Sequence, residues 1–308
     1  MAINTIAYAA KLQSIADQQM QAKLTSGWME GNAKRVVYNG GKTVKIGTVS
    51  TTGLGDYDRD NGFPQGSVAL VYKDYEMTQD RGATFQLDSQ DVDESNFLLN
   101  AASVTGDFQT NHVAPEIDSY RYSKIANLGI NANVASGGNT VNVSNVLSLL
   151  DADITAIQDI VGDIPLVITM STTIRSVLNN NEKIQKQINA ADFTNGAITT
   201  KVLSYNGIPI IGVPSSRMKT VYTFNDGKTT GQTQGGFVAA GTAKNINWLI
   251  TPVAAPLAIN KADISRIFDP MTNQKADAWK IDYRKYHDLW VTDEWLKLCR
   301  VNIKEALS

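Results

Sequence analysis

An α+β fold with slender extensions is predicted by three features of the sequence. Residues 35–90 alternate apolar and polar side chains at period two, and residues 97–126 repeat apolar side chains every three to five positions. Residues 143–250 switch between the two patterns and form a mixed unit. The chain has 308 residues, 43% hydrophobic and 19% charged, which is enough to bury a sizeable core and too apolar for disorder. Lys plus Arg total 28 against 30 Asp plus Glu, a net charge of −2. That balance excludes a generally basic nucleic-acid coat and argues against electrostatic docking to a membrane. One cysteine, Cys299, permits no internal disulfide. Two histidines, His112 and His287, leave little material for a His-based metal or catalytic centre. No basic-then-apolar leader opens the sequence. The most apolar run, residues 248–259, is interrupted by Pro252 and Pro256, short of the roughly 18 residues a membrane helix needs. A soluble chain made or assembled in a reducing compartment is expected.

Residues 3–25 read as a helix with a thin stripe of Ile3, Ile6, Ala10, Leu12 and Ile15. Such a helix is marginal alone and suits an arm lying on another surface, or the first helix of a globular domain. Val36, Val37 and Tyr38 open the period-two region, and residues 43–49, 67–73, 75–78 and 83–87 continue it. Between these runs, residues 51–66 are dense in Gly, Asp, Asn and Pro, a broad turn. Together they predict a long two-stranded hairpin, and an arm of about ten residues spans roughly 30 Å. A two-stranded ribbon is barely stable in water and exposes unpaired edges, so it must fold back or lie across another molecule. Polar cover on both faces, with no third strand of similar length, favours the second outcome.

Asp93 is a candidate N-cap for one long helix running to about Ala126, with a bend at Pro115 and a weak point at Gly106. Loop is expected from Gly129 onward. Residues 144–161 predict an amphipathic helix, 166–170 a buried strand, 171–178 a capped helix and 182–190 a polar helix. Asn206-Gly207 between two apolar runs signals a hairpin. Residues 246–250 predict a strand, 261–267 a short helix, and 279–286, 289–291 and 296–303 further strands.

The candidate chemistry is thin. Asp56, Asp58 and Asp60 resemble the start of a calcium loop, but Asn61 stands where Gly is needed and Ser67 where a bidentate Glu is due. An acidic solvated tip, with Arg59 among the carboxylates, suits ion pairs to a neighbouring subunit. Gly41-Lys42-Thr43 and Gly227-Lys228-Thr229 lack the first glycine of a phosphate loop, because Val36 and Tyr222 occupy those positions. No Gly-x-Ser-x-Gly elbow is present, His287 beside Asp288 is placed at a strand turn, and Cys299 falls in a strand pattern. No enzyme, metal or cofactor is expected on these grounds.

The order of parts, carried by residues 77–88, 91–95, 114–126 and 205–218, resembles the HK97-type major capsid protein of tailed, siphovirus-like bacteriophages. That resemblance implies an HK97-like capsid fold of four parts. These are an N-terminal arm (1–35), an extended loop (36–92), a peripheral domain with a spine helix (93–131 and 259–308) and an axial domain (132–258). It also implies self-assembly into hexamers and pentamers of an icosahedral shell around double-stranded DNA, held by confinement and not by sequence. The product would be a virion component assembled in the bacterial host cytoplasm. The arm starts close to Met1, so a separate scaffolding protein and a portal are expected partners. The hairpin tip has no Lys, which argues against a self-catalysed crosslink. Asp56, Arg59 and Asp60 at the tip, with Asp118 and Arg121 on the helix, are the candidate subunit contacts. The competing readings are a soluble hydrolase-like enzyme on the mixed unit and another phage structural protein of tail-tube or decoration type.

Overall fold

The computed structural model describes residues 20, 23–36, 41–60, 62–90, 101–181, 189–195, 198–273 and 275–307. Residues 3–19 of the expected arm, Val37 and Tyr38, the Asp93 cap and most of the expected 182–190 helix lie outside these residues.

The centre of the molecule is the strand β5 (Leu166–Ser171). Its sequence LVITMS has no polar face, and all six residues are buried. Such a strand needs cover on both sides. It lies fourth in a seven-stranded sheet of order β4 (Ala135–Ser136), β14 (Arg300–Ile303), β11 (Ile246–Pro252), β5, β8 (Ile208–Val213), β7 (Ile198–Tyr205) and β6 (Asn189–Asn195). On one face Leu166, Ile168 and Met170 pack with Val146, Leu150, Ile154 and Ile157 of α3 (Val146–Val161) and with Ile174 and Leu178 of α4 (Thr172–Asn179). On the other face Val167 and Leu249 meet Tyr122, Ile125 and Ala126 of α2 (Ala114–Asn131). The hydroxyl of Ser171 accepts the Ile174 amide and starts α4. Asn206 and Gly207 both have positive φ, 50° and 78°, as the two-residue turn between β7 and β8 requires.

The expected spine is present as a continuous helical run over 101–131: α1 (Ala101–Phe108), a π-helical turn (Gln109–Val113) and α2. The wide turn stands immediately before Pro115, whose missing N–H leaves the helix ladder short of one donor. The helix passes Gly129 instead of ending there. A Cβ at Gly129 would come within 2.6 Å of the Val301 side chain, so glycine lets the helix lie close on β14.

A second sheet of three strands has the order β12 (Pro256–Phe268), β13 (Ala278–Val291) and β3 (Gln79–Asp88), all antiparallel. Residues 261–267, read as a short helix, are strand: β12 pairs with β13 from Pro256–Val291 to Phe268–Lys280. A seven-residue segment has too little helical drive to resist that ladder. Leu289–Val291 is the end of β13 and not a separate strand, so His287 sits inside a strand instead of at a turn. Residues 296–303 are not one β segment. Asp293 and Glu294 open a short helix, α5 (Asp293–Leu296), and the chain turns through Cys299 into β14. Ala190 lies in β6. The last strand, β14, hydrogen-bonds to β11 of the large sheet, although the family resemblance assigns it to the peripheral domain.

Candidate subunit-contact surface

β1 (Thr43–Thr51) and β2 (Val68–Glu76) form a two-stranded sheet of their own, with Thr43 opposite Glu76 and Thr51 opposite Val68. β3, whose alternation continues that of the hairpin, pairs with β13 instead. The root of the hairpin is anchored. Val44, Ile46 and Met77 are buried against Leu257, Ile259, Tyr286 and Trp290. Lys73 pairs with Asp293 at 3.0 Å, and Lys261 Nζ donates to the Gly41 carbonyl at 2.9 Å. Lys42 pairs with Glu76, whose carboxylate holds the ammonium pKa above its ordinary value.

Beyond Gly47 the ribbon leaves the body. Val49 pairs with Leu70, Thr51 with Val68 and Gly47 with Tyr72. Val49 is 64% exposed and Val68 72%, and Leu70, Val71 and Tyr72 are also open. Alternation puts Val68, Leu70 and Tyr72 on one face and Val71 on the other. The expected polar cover is therefore absent, because the strand carries apolar side chains to both sides. At the tip, Asp58 and Gly62 exchange both backbone hydrogen bonds, and Asp58 Oδ1 accepts the Asp60 amide at 2.8 Å. This small frame presents Tyr57 and Phe63 edge to face, with ring centroids 5.0 Å apart. Phe63 is 87% exposed and Leu54 wholly so. A cleft of about 480 Å3 opens between the ribbon and the body, lined by Ile46, Val49, Ile160, Val161 and Trp295 among others.

The five residues singled out in the sequence divide sharply. Asp56, Arg59 and Asp60 are exposed on the tip. Asp118 and Arg121 are wholly buried inside their own chain. Asp118 accepts the amides of Thr25 and Ser26 at 3.1 and 3.0 Å and pairs with Arg217 at 3.0 Å. Arg121 donates to the Ser26 carbonyl at 3.1 Å and to Glu30 at 2.6 Å. As placed, these two side chains fasten residues 25–30 to the spine and present nothing to a neighbour. The exposed apolar residues of the ribbon, Leu54, Tyr57, Phe63, Val68, Leu70 and Tyr72, were not singled out. The available signal was aromatic and branched side chains inside a segment otherwise built of turn residues.

Among the described residues no His, Cys, Asp and Glu group is arranged to hold a metal, the tip aspartates included. The Asp226 carboxylate takes the Thr229 hydroxyl and the amides of Lys228 and Thr229, which brings its pKa down to about 2. That turn is closed on its own carboxylate and offers no phosphate cradle. Burial pushes the Cys299 thiol up to about 12, so it carries no thiolate at neutral pH. No helix among the described residues is long and apolar enough to cross a membrane.

The body is thus built on two main sheets and a spine helix, and the ribbon is cast outward from it. No family model and no curated protein matches the chain. Solved structures do. The capsid structure of the cyanophage P-SCSP1u is similar with a TM-score of 0.59 at 13% identity, over 89% of this chain and 86% of that one. The mature capsid of bacteriophage PhiM1 is similar with a TM-score of 0.56 at 12% identity, over 87% and 83%. A virus-like particle from Pyrococcus furiosus is similar with a TM-score of 0.55 at 9% identity, over 96% and 99%. The fold is the HK97-like capsid fold.

Proposed function

We propose that the chain is the major capsid protein of a tailed bacteriophage, a structural protein without catalytic activity. Many copies assemble as hexamers and pentamers into an icosahedral shell around double-stranded DNA. The fold match supports this reading, and one observation carries it: a two-stranded ribbon exposing apolar side chains on both faces. In a lone chain that surface is a standing liability; in an assembly, other copies cover it. Contact between a projecting ribbon and a different surface of the next copy is heterologous, the kind that closes into rings. The exposed tip residues Asp56, Arg59 and Asp60 belong to that contact. The same proposal includes a separate scaffolding protein and a portal, assembly in the host cytoplasm, and the division into arm, extended loop, peripheral and axial parts at the boundaries given above.

The test is negative-stain microscopy with sedimentation of the purified full chain, with and without co-expressed candidate scaffold. Closed shells or rings are the expected products. Small monodisperse particles under every condition would contradict the reading, and tubes would support a tail-type protein instead.

A further inference from the structure

His287 is one of two histidines, and the fold treats them oppositely. His112 is exposed on the spine, stacked on Phe108. His287 is 3% exposed in the middle of β13, edge-on to the Tyr120 ring, and its Nδ1 has no hydrogen-bond partner. Four cations act on it electrostatically from three elements: Arg121 and Lys124 of α2, Arg81 of β3 and Lys285 of β13. Each is already matched to one carboxylate. Arg121 pairs with Glu30 of the 27–35 turn at 2.6 Å, Lys124 with Asp288, Arg81 with Glu116, and Lys285 with Asp263 of β12. The junction is thus balanced, four charges against four, only while the imidazole is neutral.

The same junction holds the hairpin. Asp288 accepts the amide and hydroxyl of Thr78, between β2 and β3, at 2.9 and 3.0 Å, and the Tyr120 hydroxyl at 2.7 Å. Tyr286 donates to the Met77 carbonyl at 3.1 Å.

We propose that His287 is an acid-sensitive clasp: neutral, it lets the four ion pairs bind the hairpin root, the spine and residues 27–35 together, and protonated, it adds an uncompensated charge that opens them. Burial, then Arg121, Lys285, Lys124 and Arg81 in that order, hold the imidazole pKa well below 6.5. Below that value the open form takes the proton and the closed form does not. The closed-to-open ratio therefore falls about tenfold per pH unit below about 6.5. Glu116 and Glu30 respond to pH as well. Burial raises Glu116 despite Arg81, so acid favours its closed, protonated form and opposes the effect. At Glu30 burial works against ionisation, but Arg121 and then Lys285 outweigh it, so its contribution is lost only below the ordinary carboxylate range. The clasp belongs to a single chain and does not depend on the shell reading.

Backbone hydrogen exchange on the full chain, corrected for intrinsic rates, tests this between about pH 7.5 and about pH 5.5. Peptides containing Met77–Asp80 and residues 27–35 should exchange about tenfold faster at the acid end, with β5 peptides unchanged. The increase should vanish in His287→Gln and persist in Glu116→Gln. A root that is indifferent to pH, or an increase that survives His287→Gln, overturns the proposal. If His287→Gln does not fold, deuterium exchange at the histidine C2 position of the unaltered chain decides, with His112 as the exposed reference. Slow, pH-independent exchange at His287 across this range is expected while the clasp is closed. Exchange that follows His112 overturns the clasp.

Discussion

β5 and β2 are both rich in apolar and β-branched residues, yet the fold treats them as opposites. LVITMS is buried at every position between two helical layers, whereas in VALVYKDYE eight of nine residues are exposed. Local sequence makes each a strand, but topology decides what covers it. β5 has neighbours on both edges and helices on both faces, while β2 has only β1. The body stabilises itself. The ribbon beyond Gly47 has its own backbone ladder and tip turn, but its apolar side chains lie uncovered in the single chain.

This contrast predicts a graded set of effects on the isolated subunit. Trp248, wholly buried with its indole N–H donated to Asp153 at 2.8 Å, anchors the α3 side of the large sheet. Trp248→Ala should lower unfolding stability by about 3–5 kcal/mol in a denaturant titration. Asp118→Ala strips a partner from Arg217 and from two backbone amides, and should cost about 3 kcal/mol by the same measurement. Gly207→Ala forces a β-carbon into a positive-φ position and should cost about 1 kcal/mol, read as a small drop in melting temperature. On the ribbon the order of effects reverses. Arg59→Glu and Phe63→Ser should change subunit unfolding stability by no more than about 0.5 kcal/mol, because both side chains are exposed and Phe63 meets only the equally exposed Tyr57 ring at the tip. Each should nevertheless reduce the yield of assembled particles in sedimentation. A large fall in subunit stability from Phe63→Ser would break the contrast, since it would place the tip on its own body.

The sequence exposed the regular parts because each had a local cause. The β1–β2 alternation, the apolar run of β5, the Ser171 cap and the Asn206-Gly207 turn all speak through residues adjacent in the chain. The misreadings share the opposite cause. Residues 261–267 became strand because β13, some 20 positions away, supplies the ladder. The helix ran past Gly129 because Val301 lies against it. Asp118 and Arg121 looked like surface charges on a helix, and their burial depends on residues 25–30 and Arg217 arriving from elsewhere. The tip carboxylates were legible as exposed because turn residues announce solvent. The apolar face beside them was not, since alternation is silent about whether a partner will cover it.

The most direct test of the ribbon's role is hydroxyl-radical footprinting of Tyr57, Phe63 and Tyr72 in assembled particles and in dissociated subunits. These three side chains are expected to react readily in the subunit and to become strongly protected in the particle, while buried Trp248 stays protected in both. Equal labelling of the three in particle and subunit would contradict the account, because the ribbon would then have no neighbour to cover it.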